Sequence, residues 1–430
     1  MFDLAVIGAG WAGFSAAQEA KRLGLQVALI EKGKIGGTCL NYGCIPTKAL
    51  IQSAKIYSLS AKSAKFGIEI PTTKVNFQAI QKRKEAIIEQ LGRGMQFLLK
   101  DIKVFNSEAQ LLSENELSVG EEKIKAKNIL IATGSNPIQL PGLGFDGKKI
   151  ISSSDILDIK SLPGSLLIIG GGVIGCEFAC LFSMLGVKVT IVELMPQLLP
   201  QEDSAIARKL ESIFKKKGIQ VHANTNAKTA NLDDFDLVLL CIGREPELGG
   251  LDLNKLLLKT DKNRIITDEY SLTNIPNIYA AGDCTGKKLL AHFAAHQGTI
   301  AAGNIAKPAS LRQLEPELIP NCIFTDPEIA SIGITEEEAK KKGIKLRVSK
   351  FDFLGSGMAR IIEEAEGFIK IISDQEKGSL LGASIIGPKA TELIGIFTVA
   401  IQSGLNLEQL RNIVFAHPTL SESIHEAARG

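Results

Sequence analysis

Residues 3–31 read DLAVIGAGWAGFSAAQEAKRLGLQVALIE, and residues 165–193 read SLLIIGGGVIGCEFACLFSMLGVKVTIVE. Each opens on an apolar run, turns through Gly-x-Gly-x-x-Gly and continues as a helix with small residues on one side. A second apolar run, ending in Glu, closes each stretch. Apolar runs bounded by glycine are the pattern of buried parallel strands. The order strand, glycine turn, helix, strand is one supersecondary unit, and here it is duplicated. Gly8, Gly10 and Gly13 close a tight turn and let a pyrophosphate approach the helix N-terminus. Glu31, eighteen residues past Gly13, ends the next strand and can accept hydrogen bonds from ribose hydroxyls.

Gly170, Gly172, Gly175 and Glu193 repeat the pattern independently. The duplication predicts an α/β protein with two Rossmann-like, doubly wound dinucleotide-binding domains. Two such sites in one chain imply two cofactors that exchange electrons. A carboxylate such as Glu193 suits a free 2′-hydroxyl, whereas a 2′-phosphate needs arginines nearby. Residues 194–203 contain no Arg or Lys, so NAD is preferred over NADP.

Outward from these units, residues 76–101 read as a long amphipathic helix and 103–131 as short alternating strands. Residues 278–283 carry another buried-strand pattern ending in Gly-Asp, followed by a helix from about His292 to Ala306. The first domain therefore resumes after the second. Pro308 and Pro316 punctuate a linker. From Leu318 the pattern becomes α+β, with strands near 322–333, 346–353, 367–373 and 379–386 and helices near 335–342, 390–403 and 406–414. The expected division is 1–145 with 270–310 for the first dinucleotide, 146–269 for the second, and 311–430 for association.

A chain of 430 residues is too long for one ordinary core, in keeping with two or three domains. With 45% hydrophobic and 22% charged residues it has the profile of a globular protein. A net charge of +2 argues neither for nor against any partner. Lys and Glu are interspersed with no like-charge run long enough for a nucleic-acid tail, so no nucleic-acid partner is expected. The basic run Lys215-Lys216-Lys217 closes a predicted helix, where it complements the dipole. The chain opens directly on a strand without a leader pattern, and its apolar runs are too short to span a bilayer. Seven cysteines do not make a secreted disulfide scaffold, so a cytoplasmic protein without a membrane partner is expected.

The strongest local signal is GGTCLNYGCIPTKAL, residues 36–50. Gly43 gives the backbone freedom to bring Cys39 and Cys44 within bridging distance. Pro46 suits a first helical turn, which puts Cys44 at a helix N-terminus where the dipole favours thiolate. Lys48 falls one turn later on the same face and adds positive charge. The alternatives are two inert buried thiols or half a metal site. No second Cys/His pair has ligand spacing, so no metal is expected and a redox pair is favoured. Cys176, Cys180, Cys241, Cys284 and Cys322 read as packing residues.

HPTLSE, residues 417–422, offers a second candidate. Pro418 holds His417 extended. Thr419 and Glu422 have the spacing of a capping box for the last helix, a sufficient structural reason for both. The functional alternative makes His417 a proton acceptor oriented by Glu422. From these residues alone both stand.

Taken together, GAGWAG, GGTCLNYGCIPTK, ATGSNP (132–137), GGGVIGCE, CIGREP (241–246), AAGDCTG (280–286) and HPTLSE resemble the pyridine nucleotide–disulfide oxidoreductases, in that family's order and along essentially the whole chain. The resemblance implies bound FAD and NAD, a Cys39–Cys44 redox-active disulfide and a homodimer. Cys39 would exchange with the substrate, and Cys44 would be the thiolate against the flavin. His417, from the other subunit and oriented by Glu422, would carry the proton. Lys48 and Glu177 would pair beside the flavin's reactive nitrogen. It further implies that Asp283 holds the ribityl chain. Lys32, Gly37, Thr38, Ala109, Thr133, Gly134 and Ala291 would line the FAD site. Val173, Ile174, Gly243 and Arg244 would join Gly170, Gly172, Gly175 and Glu193 around NAD.

LLAHFAAHQG (289–298), HPTLSE and Glu193 are most similar to the members that oxidise dihydrolipoamide with NAD⁺. The implied partner is the lipoyl-bearing protein of a 2-oxoacid dehydrogenase complex or the glycine cleavage system. The alternatives are an NAD(P)H-dependent reductase of another disulfide, glutathione-like or coenzyme-linked, and a low-turnover flavin-binding component. One departure stands out. Only thirteen residues separate His222 from Asp236, where the family places a small antiparallel meander. Three strands of about five residues each need more.

Overall fold

A computed structural model describes residues 1–430, the side chain of Asn254 apart. The first glycine unit forms the heart of a seven-stranded sheet. Strand Phe2–Ile7 pairs in parallel with Val27–Ile30 on one side and with the end of Glu122–Ile131 on the other. Glu122–Ile131 plays two parts. Its first half closes an antiparallel ribbon with Glu116–Val119 and Ala109–Ser113, and its second half enters the parallel sheet. Strand Ile278–Ala280 pairs in parallel with Ile129–Ile131, so the chain returns to this sheet after a long excursion.

Helix Trp11–Arg22 packs against Ala291–Ala306, and the contact is close because both faces are small. A Cβ on Gly298 would lie 2.0 Å from the Ala12 carbonyl oxygen. The long helix spans Phe77–Leu98, with Asn76 as its cap accepting from the Ala79 N–H at 3.0 Å.

The second unit forms a five-stranded parallel sheet in the order Gln220–His222, Lys188–Val192, Ser165–Ile169, Leu237–Leu240, Ile150–Ile151. Among the described residues no strand lies between His222 and Leu237. Two single 3₁₀ turns take the place of a meander, each opened by an asparagine whose side chain accepts from the backbone two residues on: Asn226 and Asn231. Ala227, Ala230, Leu232 and Phe235 from this short segment pack over Leu167, Ile169, Val192, Val238 and Leu240. The sheet face is covered despite the missing strands.

The last sheet is antiparallel, in the order 321–323, 328–333, 380–387, 368–374, 346–352. Helices Ala390–Gln402, Leu407–Arg411 and Glu422–Arg429 contribute to its core. Two expectations are corrected here, and one element is added. The strand expected over 322–333 is a hairpin, turning at Thr325-Asp326-Pro327 so that Cys322 opposes Ala330. The helix expected over 406–414 stops at Arg411. A short helix, Gly357–Ile361, begins where the Ser356 side chain accepts from the Ala359 N–H, and the periodicity did not announce it. No helix among the described residues is long and apolar enough to cross a membrane.

Candidate functional site

The two glycine turns are built alike. A Cβ on Gly13 would lie 1.8 Å from the Gly8 carbonyl oxygen, and one on Gly175 would lie 1.9 Å from that of Gly170. Helix and strand thus meet backbone to backbone. Gly10 and Gly172, which precede helices Trp11–Arg22 and Val173–Met184, face open space instead. That leaves the helix N-termini free for a pyrophosphate. Gly37 approaches the first turn closely, since its Cβ would stand 2.8 Å from the Cα of Gly10.

The strand-end glutamates are also used alike. Glu31 accepts from the Ala9 N–H at 2.6 Å and the Gly33 N–H at 2.7 Å. Glu193 accepts from the Gly171 N–H at 2.5 Å and the Met195 N–H at 2.7 Å. Each carboxylate is aimed by backbone donors while keeping lone pairs for a diol.

Where the first sheet meets the second, the Ser135 hydroxyl donates to Asp283 at 2.6 Å and receives Arg244 Nε at 2.9 Å. Burial pushes the Asp283 carboxyl up. The Thr133 hydroxyl, two residues before Ser135, is buried with no hydrogen-bond partner, as a group reserved for a ligand would be. Gly134 follows at φ +80°, and Gly243 precedes Arg244 at φ +132°. Ala109 is buried at the start of its strand, Lys32 lies 3.4 Å from Glu108, and Ala291 opens its helix. Thr38 lies in the short helix Gly37–Tyr42, its carbonyl closely approached by Gly43. Val173 and Ile174 begin the second fingerprint helix. These positions fit two dinucleotides, one per glycine turn.

Cys39 sits in helix Gly37–Tyr42, and Cys44 is the first residue of helix Cys44–Ser60. Both are free thiols here, in hydrogen-bond contact with each other. Pro46 lies in the first turn, and the Thr47 N–H donates to the Gly43 carbonyl. The hydrogen bond from Cys39, with the charge of Lys48 adding to it, lowers the Cys44 thiol to about 7. The same contact, with burial, drives the Cys39 thiol well up. One proton is therefore shared unequally, and the thiolate resides on Cys44.

Lys48 pairs with Glu177 from the second fingerprint helix, at 2.7 and 2.9 Å to its two oxygens. Sequence reading missed Phe324. Its backbone N–H donates to Glu177 at 2.9 Å, and its ring lies 4.8 Å from the Lys48 ammonium. The pair is thereby held from three segments of the chain.

His417 Nδ1 lies 2.9 Å from Glu422 Oε1, and the imidazole is 81% exposed. Glu422 spends its other oxygen on the Thr419 N–H at 2.9 Å. Those bonds hold the Glu422 carboxyl below its usual value, the Thr419 amide first and His417 second. The expected capping box is half formed. The Thr419 hydroxyl donates to the Ala416 carbonyl at 2.7 Å, and the helix starts at Glu422 after Ser421. Within one chain His417 and the cysteines are not brought together by hydrogen bonds. Beside His417, Val414 is 94% exposed, an unusual position for an apolar side chain next to a functional candidate.

The remaining cysteines are structural in setting. Cys176, Cys180, Cys241 and Cys284 are buried and Cys322 half-buried. Burial raises all five thiols, Cys180 and Cys322 to about 11 and Cys284 to about 12. Among the described residues no three His, Cys, Asp or Glu side chains cluster as metal ligands.

With this geometry in view, the similarities to known proteins are consistent along the chain. Residues 2–298 match the pyridine nucleotide-disulphide oxidoreductase family, and residues 319–428 match its dimerisation domain. A dihydrolipoyl dehydrogenase of Bacillus subtilis is 42% identical, across 99% of this chain and 97% of the relative. One of Chlamydia pneumoniae is 40% identical, across 99% and 96%. Among solved structures, LpdA from Mycobacterium tuberculosis superposes with a TM-score of 0.91 at 28% identity, covering 99% of both chains. The HOCl-induced flavoprotein disulfide reductase RclA from Escherichia coli does so at 0.87 and 28%, also covering 99% of both.

Proposed function

This chain belongs to the pyridine nucleotide-disulphide oxidoreductase family, and from that premise we propose that it oxidises protein-bound dihydrolipoyl groups with NAD⁺ through a Cys39–Cys44 disulfide. The supporting observation is the thiol pair itself. Cys44, lowered to about 7 first by the hydrogen bond from Cys39 and then by the charge of Lys48, is the better leaving thiolate. The full-length relatives named dihydrolipoyl dehydrogenase support the choice of substrate.

In the oxidised protein a substrate thiolate attacks the Cys39 sulfur. The Cys39–Cys44 bond breaks, and Cys44 departs as thiolate, leaving a mixed disulfide on Cys39. The second substrate thiolate then attacks the substrate sulfur bonded to Cys39. The lipoyl disulfide forms and Cys39 is released. Each substrate thiol must lose a proton, and His417, with Glu422 holding Nδ1, is the base assigned to it. Since His417 makes no hydrogen bond to the cysteines of its own chain, the reading has the partner copy of a homodimer supply it. The exposed Val414 would be covered by the same contact. The dimerisation domain supports that arrangement.

FAD supplies the step that passes the electron pair from the dithiol to NAD⁺ as hydride. The chain's part is to hold it. The residues assigned to it are Gly8, Gly10, Gly13, Glu31, Lys32, Gly37, Thr38, Lys48, Ala109, Thr133, Gly134, Asp283 and Ala291. For NAD⁺ they are the second glycine turn with Val173, Ile174, Glu193, Gly243 and Arg244. Residues 1–145 with 270–310, 146–269 and 311–430 are the corresponding divisions. The partner would be the lipoyl domain of a 2-oxoacid dehydrogenase complex or of the glycine cleavage system, in the cytoplasm.

The test is dihydrolipoamide-dependent NAD⁺ reduction by the purified flavoprotein, run beside NADP⁺. Robust turnover with NAD⁺ alone is expected. A flavin reducible by NADH with no dihydrolipoamide turnover would refute the substrate. It would favour the second reading, a reductase of another disulfide, which the similarity to RclA keeps in view.

A further inference from the structure

Lys370 is a lysine on a central strand, Phe368–Asp374, of the last sheet, and it is only 5% exposed. Its ammonium lies 2.7 Å from Asp203 and 2.6 Å from Glu336. Asp203 is fully buried and belongs to the second dinucleotide domain, whereas Glu336 belongs to the same domain as the lysine. A charge is seldom buried this way unless paired, so the site fixes the two domains against each other.

Asp203 is also the cap of helix Ser204–Lys216, accepting from the Ala205 N–H at 2.9 Å with its other oxygen. The residue before it, Glu202, is buried and receives the Asn321 amide of the last sheet at 2.6 Å. The residue after it, Ser204, donates to Glu337. Three consecutive residues thus bind the association domain.

The same short segment reaches the nucleotide turn. The Glu202 N–H donates to the Leu199 carbonyl at 2.9 Å, and the Leu199 N–H donates to the Gly171 carbonyl at 2.8 Å. Gly171 is the residue whose own N–H is bonded to Glu193. Leu199 holds φ +47°, a conformation leucine rarely adopts, and is 2% exposed, as is expected of a link over-determined by its surroundings. Leu198 fills the space against Gly171, with 2.6 Å to where a Cβ would stand.

We propose that residues 198–203 are a strut through which Lys370 positions the Gly170–Gly175 turn and Glu193 for the nicotinamide dinucleotide. Lys370 is a positioning residue for NAD⁺ although it lies in the association domain and touches no nucleotide. The proposal requires only that the second glycine turn bind the nicotinamide cofactor, so it is independent of which disulfide substrate is used.

The experiment compares Lys370→Met, the double variant Asp203→Asn/Lys370→Met and Glu336→Gln as flavin-loaded dimers. Lys370→Met leaves Asp203 buried and unpaired, so it loses thermal stability and serves only as the reference. The double variant removes both charges, keeps an asparagine able to cap the helix, and recovers that stability. The readouts are FAD content, reduction of the flavin by dithiol without NAD⁺, and the NADH dissociation constant by titration. FAD content and dithiol reduction are expected to match the unaltered protein. NADH is expected to bind about tenfold more weakly in the double variant, about 1.4 kcal/mol, and about threefold more weakly in Glu336→Gln. If the double variant retains FAD and binds NADH within twofold of the unaltered protein, the strut is refuted. Should it fail to fold, the same twofold criterion applied to Glu336→Gln decides.

Discussion

The carboxylate of Glu177 grips the Lys48 ammonium with both oxygens while one of those oxygens also accepts the backbone N–H of Phe324. Lys48 comes from the thiol helix, Glu177 from the second glycine unit, and Phe324 from the last sheet. The two charges act on Cys44 in opposite senses, the lysine lowering its thiol and the glutamate raising it. Lys48→Met is therefore expected to move the Cys44 midpoint from about 7 up toward an ordinary thiol. Glu177→Gln should move it further down. The pH dependence of iodoacetamide labelling at Cys44 in the reduced protein, read by peptide mass, checks both signs. Equal midpoints in all three proteins would contradict the assignment.

The His417 imidazole lies on the surface of its own chain, held by Glu422. His417→Gln should lower turnover by about 10²–10⁴-fold, the range for a lost acid–base group. Flavin content should be unchanged, because the ring is 81% exposed on its own chain and takes no part in that chain's core. A variant that loses flavin along with activity would show a structural role instead.

Glu193, held by two backbone donors, is the residue proposed to choose between the nucleotides. Glu193→Ser/Leu194→Arg places a cation where Leu194 is 67% exposed and removes the carboxylate that would repel a 2′-phosphate. The ratio of kcat/KM for NAD⁺ over NADP⁺ should fall by about 10–100-fold, the value of one or two charge-assisted hydrogen bonds. A ratio that stays put would place the dinucleotide ribose elsewhere.

Two glycines test the packing that holds the first dinucleotide. Gly298→Ala would press a methyl onto the Ala12 carbonyl, and should cost about 1–3 kcal/mol and weaken FAD retention. Gly92→Ala lies inside the long helix with nothing within 4 Å and should stabilise by about 0.5–1 kcal/mol. Denaturant melts of both variants would settle the contrast.

Acid should loosen the last domain through Glu336. Hydrogen bonds from Lys340 first, then Lys370, hold its carboxyl at about 2, below the ordinary 4.5. A depressed carboxyl adds stability above 4.5, and that stability is lost as pH falls from 4.5 to about 2. Glu336→Gln should show a shallower fall in melting temperature across that window.

How much of this was legible in the chain divides by distance along it. The glycine turns, Glu31, Glu193, the Cys39–Cys44 pair and Lys48 lie within contiguous stretches whose spacing already carries the chemistry. The His417–Glu422 bond was legible too, but the capping-box reading assigned the wrong partner to the Thr419 hydroxyl. With His417 taking one Glu422 oxygen and the Thr419 amide the other, that hydroxyl turns to Ala416. Phe324 and the Asp203–Lys370–Glu336 cluster were out of reach. Their partners are separated by 147, 167 and 34 positions, and no local pattern distinguishes a lysine destined for burial from a solvated one. The hairpin turn at Asp326-Pro327 was legible and passed over, since the polar stretch Thr325-Asp326-Pro327-Glu328 interrupts residues 322–333 with a turn signal.

Strand Ile278–Ala280 and helix Ala291–Ala306 complete a sheet begun by the first seven residues. Everything that forms the second sheet, from Ile150 to Leu240, emerges between those two moments of synthesis. On a ribosome the domain that comes later in the chain is thus the first that can close, and the earlier one waits, its Ile129–Ile131 edge unpaired, until residue 280 is free of the exit tunnel. The two 3₁₀ turns that stand in for a meander between His222 and Leu237 shorten that wait, since fewer residues must be made before the missing edge arrives.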